Sequence, residues 1–235
     1  MLTVTKALKS SIGRKFIMGL SGLALVGFIV AHLAGNLTLL DPSGTMFNAY
    51  AQKLDDLGKL KVVAEIGLVF LFGLHILMAL VLKADHRSAR PSRYAMHKSK
   101  GGPSFWNAAS VNMIITGAIL LTFLVIHIQQ FTLGPSVDAG YVTDIHGTQG
   151  RDLFRLIVET FANPWWVAFY CAVMLMLGLH LRHGFWSMFQ SLGAMNSRLQ
   201  KPAHLAGLIV GLLLATGFLI LPLYLHFYVA KGGSL

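Results

Sequence analysis

The chain's 235 residues are 55% hydrophobic and 12% charged, against about 25% charged in an ordinary soluble domain. That little charge cannot coat a water-soluble body, and the uncharged stretches are long enough to cross ~30 Å of hydrocarbon as helices, so the bilayer is the solvent. The net charge of +10 comes from short basic clusters between apolar runs, with no basic helix face interleaved with exposed aromatics, and nucleic acid is not expected as a partner.

Uncharged windows define five spans, at about 16–40, 62–82, 106–133, 164–181 and 202–228. The expected fold is therefore all-α: an integral membrane protein of five transmembrane helices forming a single domain, 1–235. The first span follows Lys9, Arg14 and Lys15 as a signal peptide would, but it is long and lacks a small-x-small cleavage site, so it reads as a retained helix. Glu65, in the second span, is the one acid inside these limits and sits a turn past Lys61, near the interface. Cys171, the single cysteine, lies in the fourth span, which rules out an internal disulfide, a CxxC pair and a CxxCH haem attachment.

The connections set the orientation. Lys6, Lys9, Arg14 and Lys15 precede the first span; Lys83, Arg87, Arg90, Arg93, Lys98 and Lys100 separate the second from the third; Arg198 and Lys201 separate the fourth from the fifth. By the positive-inside rule these segments face the cytoplasm. The first-to-second connection mixes Asp41, Asp55 and Asp56 with Lys53, Lys59 and Lys61, and the third-to-fourth sets Asp138, Asp144, Asp152 and Glu159 against Arg151 and Arg155. Both belong outside, which puts the N-terminus in the cytoplasm and the C-terminus outside. Trp106, Trp165, Trp166 and Trp186 fall near span ends, where indole prefers the headgroups. The basic connection 83–104 is either a cytoplasmic docking surface or a topology signal. No long repeat and no low-complexity tract stands out.

Ten histidines occur in this apolar chain, and His32, His75, His127 and His180 fall one each in the first four spans. Imidazole inside a bilayer is costly and is usually placed for function, and it is a common ligand of haem iron. With alternating helix directions, His32 and His127 lie in the outer half and His75 and His180 in the cytoplasmic half. Two pairs follow, stacked across the membrane and separated by roughly one to two helical turns or more at about 1.5 Å per residue. Two imidazoles per iron fill both axial positions, which favours electron transfer over oxygen chemistry. A zinc site wants three or four convergent ligands, which this pattern does not offer. Taken singly, each histidine also reads as a helix-packing residue bonded to a neighbour; four at complementary depths on successive helices make that reading less economical.

The expected core is thus a haem-binding four-helix bundle plus one helix. Gly19, Gly22, Gly27, Gly35, Gly67, Gly73, Gly117, Gly178 and Gly184 would make room for a flat macrocycle, or simply allow close helix packing as Gly207 and Gly211 do in the fifth span. Arg182 and His183 could hold the propionates of the inner haem, although Arg182 could equally snorkel to headgroups. His86, His97 and His204 read as solvated, His146 as an outer-loop residue, and His226 as lying near the outer end of the fifth span.

The chain resembles the di-haem cytochrome b membrane-anchor subunit of succinate:quinone oxidoreductases, the succinate dehydrogenases and fumarate reductases. The resemblance runs over Ser11-Ile12-Gly13-Arg14-Lys15, Ser21-Gly22, His32-Leu33, Gly35-Asn36, Met46-Phe47-Asn48-Ala49-Tyr50, His75, His127 and the run from His180 to Ser187. It implies His75 and His180 as axial ligands of a proximal haem b and His32 and His127 of a distal one. It also implies a flavoprotein subunit and an iron-sulfur subunit on the cytoplasmic face of a bacterial cytoplasmic (inner) membrane. Those subunits would do the succinate or fumarate chemistry, and this chain would relay electrons to a quinone, commonly menaquinone in this type. The resemblance also implies an acidic residue beyond the first span in the menaquinone site near the distal haem, a part that Asp55 or Asp56 would take by position, and Asn36, Gln52, Gln129 and Gln130 are polar groups near the outer ends that could bond a quinone carbonyl. The chain departs from some fumarate reductases at Gly178, where they carry a glutamate assigned to a transmembrane proton path.

Three rivals remain at this stage. A haem b anchor of another respiratory complex uses the same ligand chemistry but a different order of ligands. A cofactor-free small transporter would use the histidines for substrate or protons, and lacks broken helices or inverted repeats. A purely structural anchor leaves the four histidines without a role.

Overall fold

The computed structural model describes residue 6 and residues 10–88, 113–145 and 147–230. Most of the basic connection 83–104, the expected start of the third span, and Lys9, His97, Trp106 and His146 lie outside the described residues. Among the described residues five helices are long and apolar enough to cross a membrane: Ser11–Leu40, Lys59–Ser88, Met113–Thr132, Pro164–Ser191 and Gln200–Val229. Even the shortest, of 20 residues, reaches about 30 Å at 1.5 Å per residue.

Helix α1 (Ser11–Asn36) starts where the Ser10 side chain accepts the Gly13 N–H, and it tightens into a 3₁₀ turn at Leu37–Leu40. A short helix, α2 (Thr45–Asp55), leads to α3 (Lys59–Ser88). Helix α4 (Met113–His127) continues through a π turn at Ile128–Thr132. A hairpin of β1 (Val142–Ile145) and β2 (Thr148–Arg151), paired Val142 to Arg151, precedes α5 (Leu153–Ala162). Helix α6 (Pro164–Ser191) opens with proline at its first position and the Asn163 side chain accepting the Trp165 N–H. Helix α7 (Gln200–Tyr224) ends in a second π turn, Leu225–Val229.

Four of the five helices outrun the limits expected from charge, and the largest correction is to the fourth span, expected to stop at 181. Arg182 and His183 are isolated polar groups in an apolar ladder, and nothing after them interrupts backbone bonding. The ladder closes only at Gly193, whose φ of 75° lets Ala194 N–H return to Phe189 O at 2.9 Å. Charge marks where a span meets headgroups, not where its hydrogen bonds end.

Packing is uneven. Helix α6 lies closest to α7, and α1 packs on α3, α6 and α7, while α4 packs chiefly on α6. A Cβ at Gly211 would lie 2.7 Å from the Gly178 carbonyl oxygen, and one at Gly207 2.7 Å from that of Arg182. Small residues thus let the two backbones touch. Gly178 serves this contact, with Ala215 Cβ 2.9 Å from where its own Cβ would be, so of the two readings open for it close helix packing is the one seen. The outward faces are apolar: Ile66, Val69 and Phe70 of α3 are each more than 60% exposed, a surface suited to lipid.

The connections after α1 and α4 build a cap over one end of the bundle. Leu39, Phe47, Phe131, Phe154, Leu156, Ile157, Phe161 and Tyr170 form a buried core there with Leu221 and Leu225 of the fifth span. Asn48, itself buried, donates from Nδ2 to Asp152 Oδ1 at 2.9 Å and accepts the Phe154 N–H at 2.9 Å, tying α2 to α5. Arg151 donates to the carbonyls of Phe131 (2.8 Å), Gly134 (3.2 Å) and Pro135 (2.9 Å), satisfying the end of the third span. His226 is buried and donates from Nδ1 to Phe161 O at 2.7 Å, a packing histidine that fastens α5 to the fifth span. At the opposite end Arg14 pairs with Asp85 at 2.5 Å, joining the start of α1 to the last turns of α3.

Candidate functional site

The four histidines of the first four long helices come together two by two. At the level nearer the cap, His32 of α1 and His127 of α4 stand with ring centroids 5.8 Å apart and planes at 88°. Two imidazoles bonded to one metal at about 2 Å each would put their centres roughly 6 Å apart, so this separation fits a shared metal. Aromatic rings wall the pair: Phe28 stacks on His32 and Phe123 on His127, each at 5.4 Å, with Phe218 at 5.9 Å from His32 and Phe131 at 5.3 Å from His127. Asn36 donates to the His32 carbonyl at 2.8 Å and lies 3.4 Å from both nitrogens of the His32 ring. Tyr170 donates to Gln130 Oε1 at 2.7 Å, and its oxygen is 3.5 Å from His127 Nδ1.

At the other level, His75 of α3 and His180 of α6 lie within electrostatic range of each other. His75 Nδ1 is 3.2 Å from Ser21 Oγ of α1, and His180 Nδ1 is 3.1 Å from Thr116 Oγ1 of α4. Each ring also rests on the glycine that follows the hydroxyl. A Cβ at Gly22 would lie 3.4 Å from His75 Cε1, and one at Gly117 3.6 Å from His180 Cε1. With Nδ1 engaged by a hydroxyl, Nε2 of each ring is the nitrogen left for a metal.

These contacts expose a repeat that the sequence reading missed. Residues 21–32, SGLALVGFIVAH, match residues 116–127, TGAILLTFLVIH, at five of twelve positions, with hydroxyl, glycine, phenylalanine and histidine in the same register. The second member of each half carries Gly73-Leu74-His75 or Gly178-Leu179-His180. Helices α1 and α4 therefore each present a histidine to one level and, eleven residues earlier, a hydroxyl and a glycine to the other. Eleven residues close to within about 20° of three full helical turns, so both groups share one face, with the levels roughly 16 Å apart along the axis. That is wider than the one or two turns taken as the lower expectation.

The remaining candidates scatter. His183 lies within electrostatic range of His180, packs its ring 5.1 Å from Trp186, and has a buried Nδ1 with no hydrogen-bond partner among the described residues. Arg182 backs onto Gly207 and Gly211 of α7. His204, expected to be solvated, is half-buried with its ring 4.1 Å from that of Trp186. Gln52 donates to Asp56 at 2.8 Å and Lys61 to Asp55 at 2.6 Å on the cap surface, and Lys61 also reaches Glu65 at 3.6 Å. Gln129 is exposed, whereas its neighbour Gln130 is tied by Tyr170 to the surroundings of His127. Among the described residues no three His, Cys, Asp or Glu side chains gather at one point; the donors are two pairs of imidazoles, a set that fits bis-histidine haem. Compared with family models, with curated proteins and with solved structures, the chain matches none.

Proposed function

We propose that this chain is a membrane-anchor cytochrome b that holds two haems b, one between His75 and His180 and one between His32 and His127. In this reading it relays electrons between a membrane quinone and peripheral flavoprotein and iron-sulfur subunits of a succinate:quinone oxidoreductase in a bacterial cytoplasmic membrane. The observation that carries it is the pairing of four histidines from four helices at two levels, with His32 and His127 at 5.8 Å. His75 with His180 and His32 with His127 would hold the haems, which would supply one-electron chemistry there.

The chain's residues would hold, orient and shield. Phe28, Phe123, Phe131 and Phe218 exclude water from the outer pair, and the cap core closes over it. Low polarity of this kind, together with hydrogen bonds to the ligands, is what sets a haem potential. The basic end would face the cytoplasm and the subunits there, and the capped end would face outside. His183 and Arg182 are the proposed propionate contacts at the inner level. Asn36 is the candidate quinone contact adjoining His32, and Gln52, Asp55, Asp56 and Gln129 line the surface of that end.

The test is reduction by quinol. In the detergent-purified complex, a menaquinol analogue should reduce the b-type α-band and fumarate should then reoxidise it. A spectrum that stays unchanged on quinol addition, while dithionite reduces it, would remove the quinone from the account.

A further inference from the structure

Serine and threonine inside membrane helices commonly bond back to their own helix, and Ser21 and Thr116 do so: Ser21 Oγ donates to Met18 O at 3.1 Å and Thr116 Oγ1 to Met113 O at 3.1 Å. A hydroxyl has one proton. With that proton given to the carbonyl the oxygen is left to accept, and in this arrangement the Nδ1–H groups of His75 and His180, 3.2 and 3.1 Å away, are the donors; a ring bound to a metal through Nε2 carries its proton on Nδ1 and can only donate there. The neutral ring then carries its proton on Nδ1 and its lone pair on Nε2. The same chain of carbonyl, hydroxyl and imidazole occurs at matching positions in both halves of the repeat, Met18-Ser21-His75 and Met113-Thr116-His180. Ordinary helix packing would not require two hydroxyls to meet two imidazoles in register. In the outer pair the polar contacts of the rings among the described residues are longer: Asn36 stands 3.4 Å from the His32 nitrogens, and Tyr170, whose proton goes to Gln130, stands 3.5 Å from His127 Nδ1.

We propose that Ser21 and Thr116 are positioning residues: each fixes the Nδ1-protonated tautomer of an inner histidine, and together they lower the reduction potential of the haem held there. This rests on the haem reading above. A ligand whose Nδ1–H is bonded to an acceptor is more basic at Nε2, a stronger donor to the metal, and favours the ferric state. Gly22 and Gly117 complete the seat by letting each ring lie against the helix that carries the hydroxyl.

The experiment is a potentiometric titration of the α-band in the intact complex, with haem counted per chain, for wild type, Ser21→Ala, Thr116→Ala, the double variant and the exchanges Ser21→Thr and Thr116→Ser. The inner component is identified by its loss in His75→Ala. Each alanine variant should keep two haems and raise the inner midpoint by a roughly fivefold change in the ferrous-to-ferric ratio, about 40 mV at 59 mV per decade for one electron. The double variant should raise it further, the exchanges should hold the wild-type value, and the outer midpoint should stay put. An inner midpoint that does not move with both haems in place, or two midpoints that move together, would overturn the proposal and leave the haem reading standing. If alanine expels the inner haem, the exchanges decide: wild-type potential and haem content support the hydroxyl role, and a shift in potential sinks it. A wild-type chain without haem would overturn the functional reading, and this inference with it.

Discussion

Asn48 shows how much one buried side chain can hold. It bridges Asp152 and the backbone of Phe154, more than a hundred residues away in sequence. Asn48→Ala leaves the Phe154 N–H unpaired beneath the cap, which costs about 1–3 kcal/mol; the unfolding temperature in detergent should fall accordingly. On the cap surface, Tyr141 and then Arg155 bond Glu159 and hold its carboxyl below its usual range, and the Met46 N–H does the same for Asp41. A native pKa below the unfolded one stabilises above the ordinary carboxylate range and is lost as pH falls through the native value. Hydrogen exchange in α5, corrected for the intrinsic rate, should be flat above about pH 5 and rise as pH drops below about 4, with a shallower rise in Glu159→Gln. At this scale the histidines were legible in the sequence because imidazole is rare and costly in an apolar helix. Ser21, Thr116 and Tyr170 were not, because hydroxyls are common there and their role appears only when a facing helix brings an imidazole to them. The repeat that would have flagged the first two is short, and its two halves are connected by loops of different length.

Between elements, glycine is informative only through its neighbour. Gly207, Gly211 and Gly178 are where α6 and α7 touch, whereas Gly27 of α1 has nothing within 4 Å. Gly211→Leu should therefore cost about 1–3 kcal/mol through overpacking against a backbone that cannot give way, and Gly27→Ala should be neutral or slightly stabilising, by up to about 1 kcal/mol of helix propensity. Thermal unfolding of the two variants side by side measures the contrast. The five apolar helices could be read from uncharged windows, since a bilayer demands long uninterrupted hydrophobic runs. Their ends could not, because hydrogen bonding carries α6 past Arg182 to Ser191. Charge patterning alone shows the hairpin and α5 only as an outer connection, although Leu153, Phe154, Leu156, Ile157 and Phe161 repeat at helical spacing and sit against the cap core.

The whole molecule is two similar helix pairs, α1 with α3 and α4 with α6, with a fifth helix laid against α6. Each pair supplies one histidine to each level, so neither half completes a site without the other. That interdependence predicts separable losses: a substitution at one level should leave the other level's partners in place, because the two are about three helical turns apart. The most direct test is to purify the chain with its complex, record the dithionite-reduced minus oxidised spectrum, and count haem per chain for wild type, His32→Ala and His75→Ala. Two b-type haems in the wild type, with one lost in each variant, is the predicted result; a colourless wild-type protein, or a single haem lost in both variants, would contradict the account.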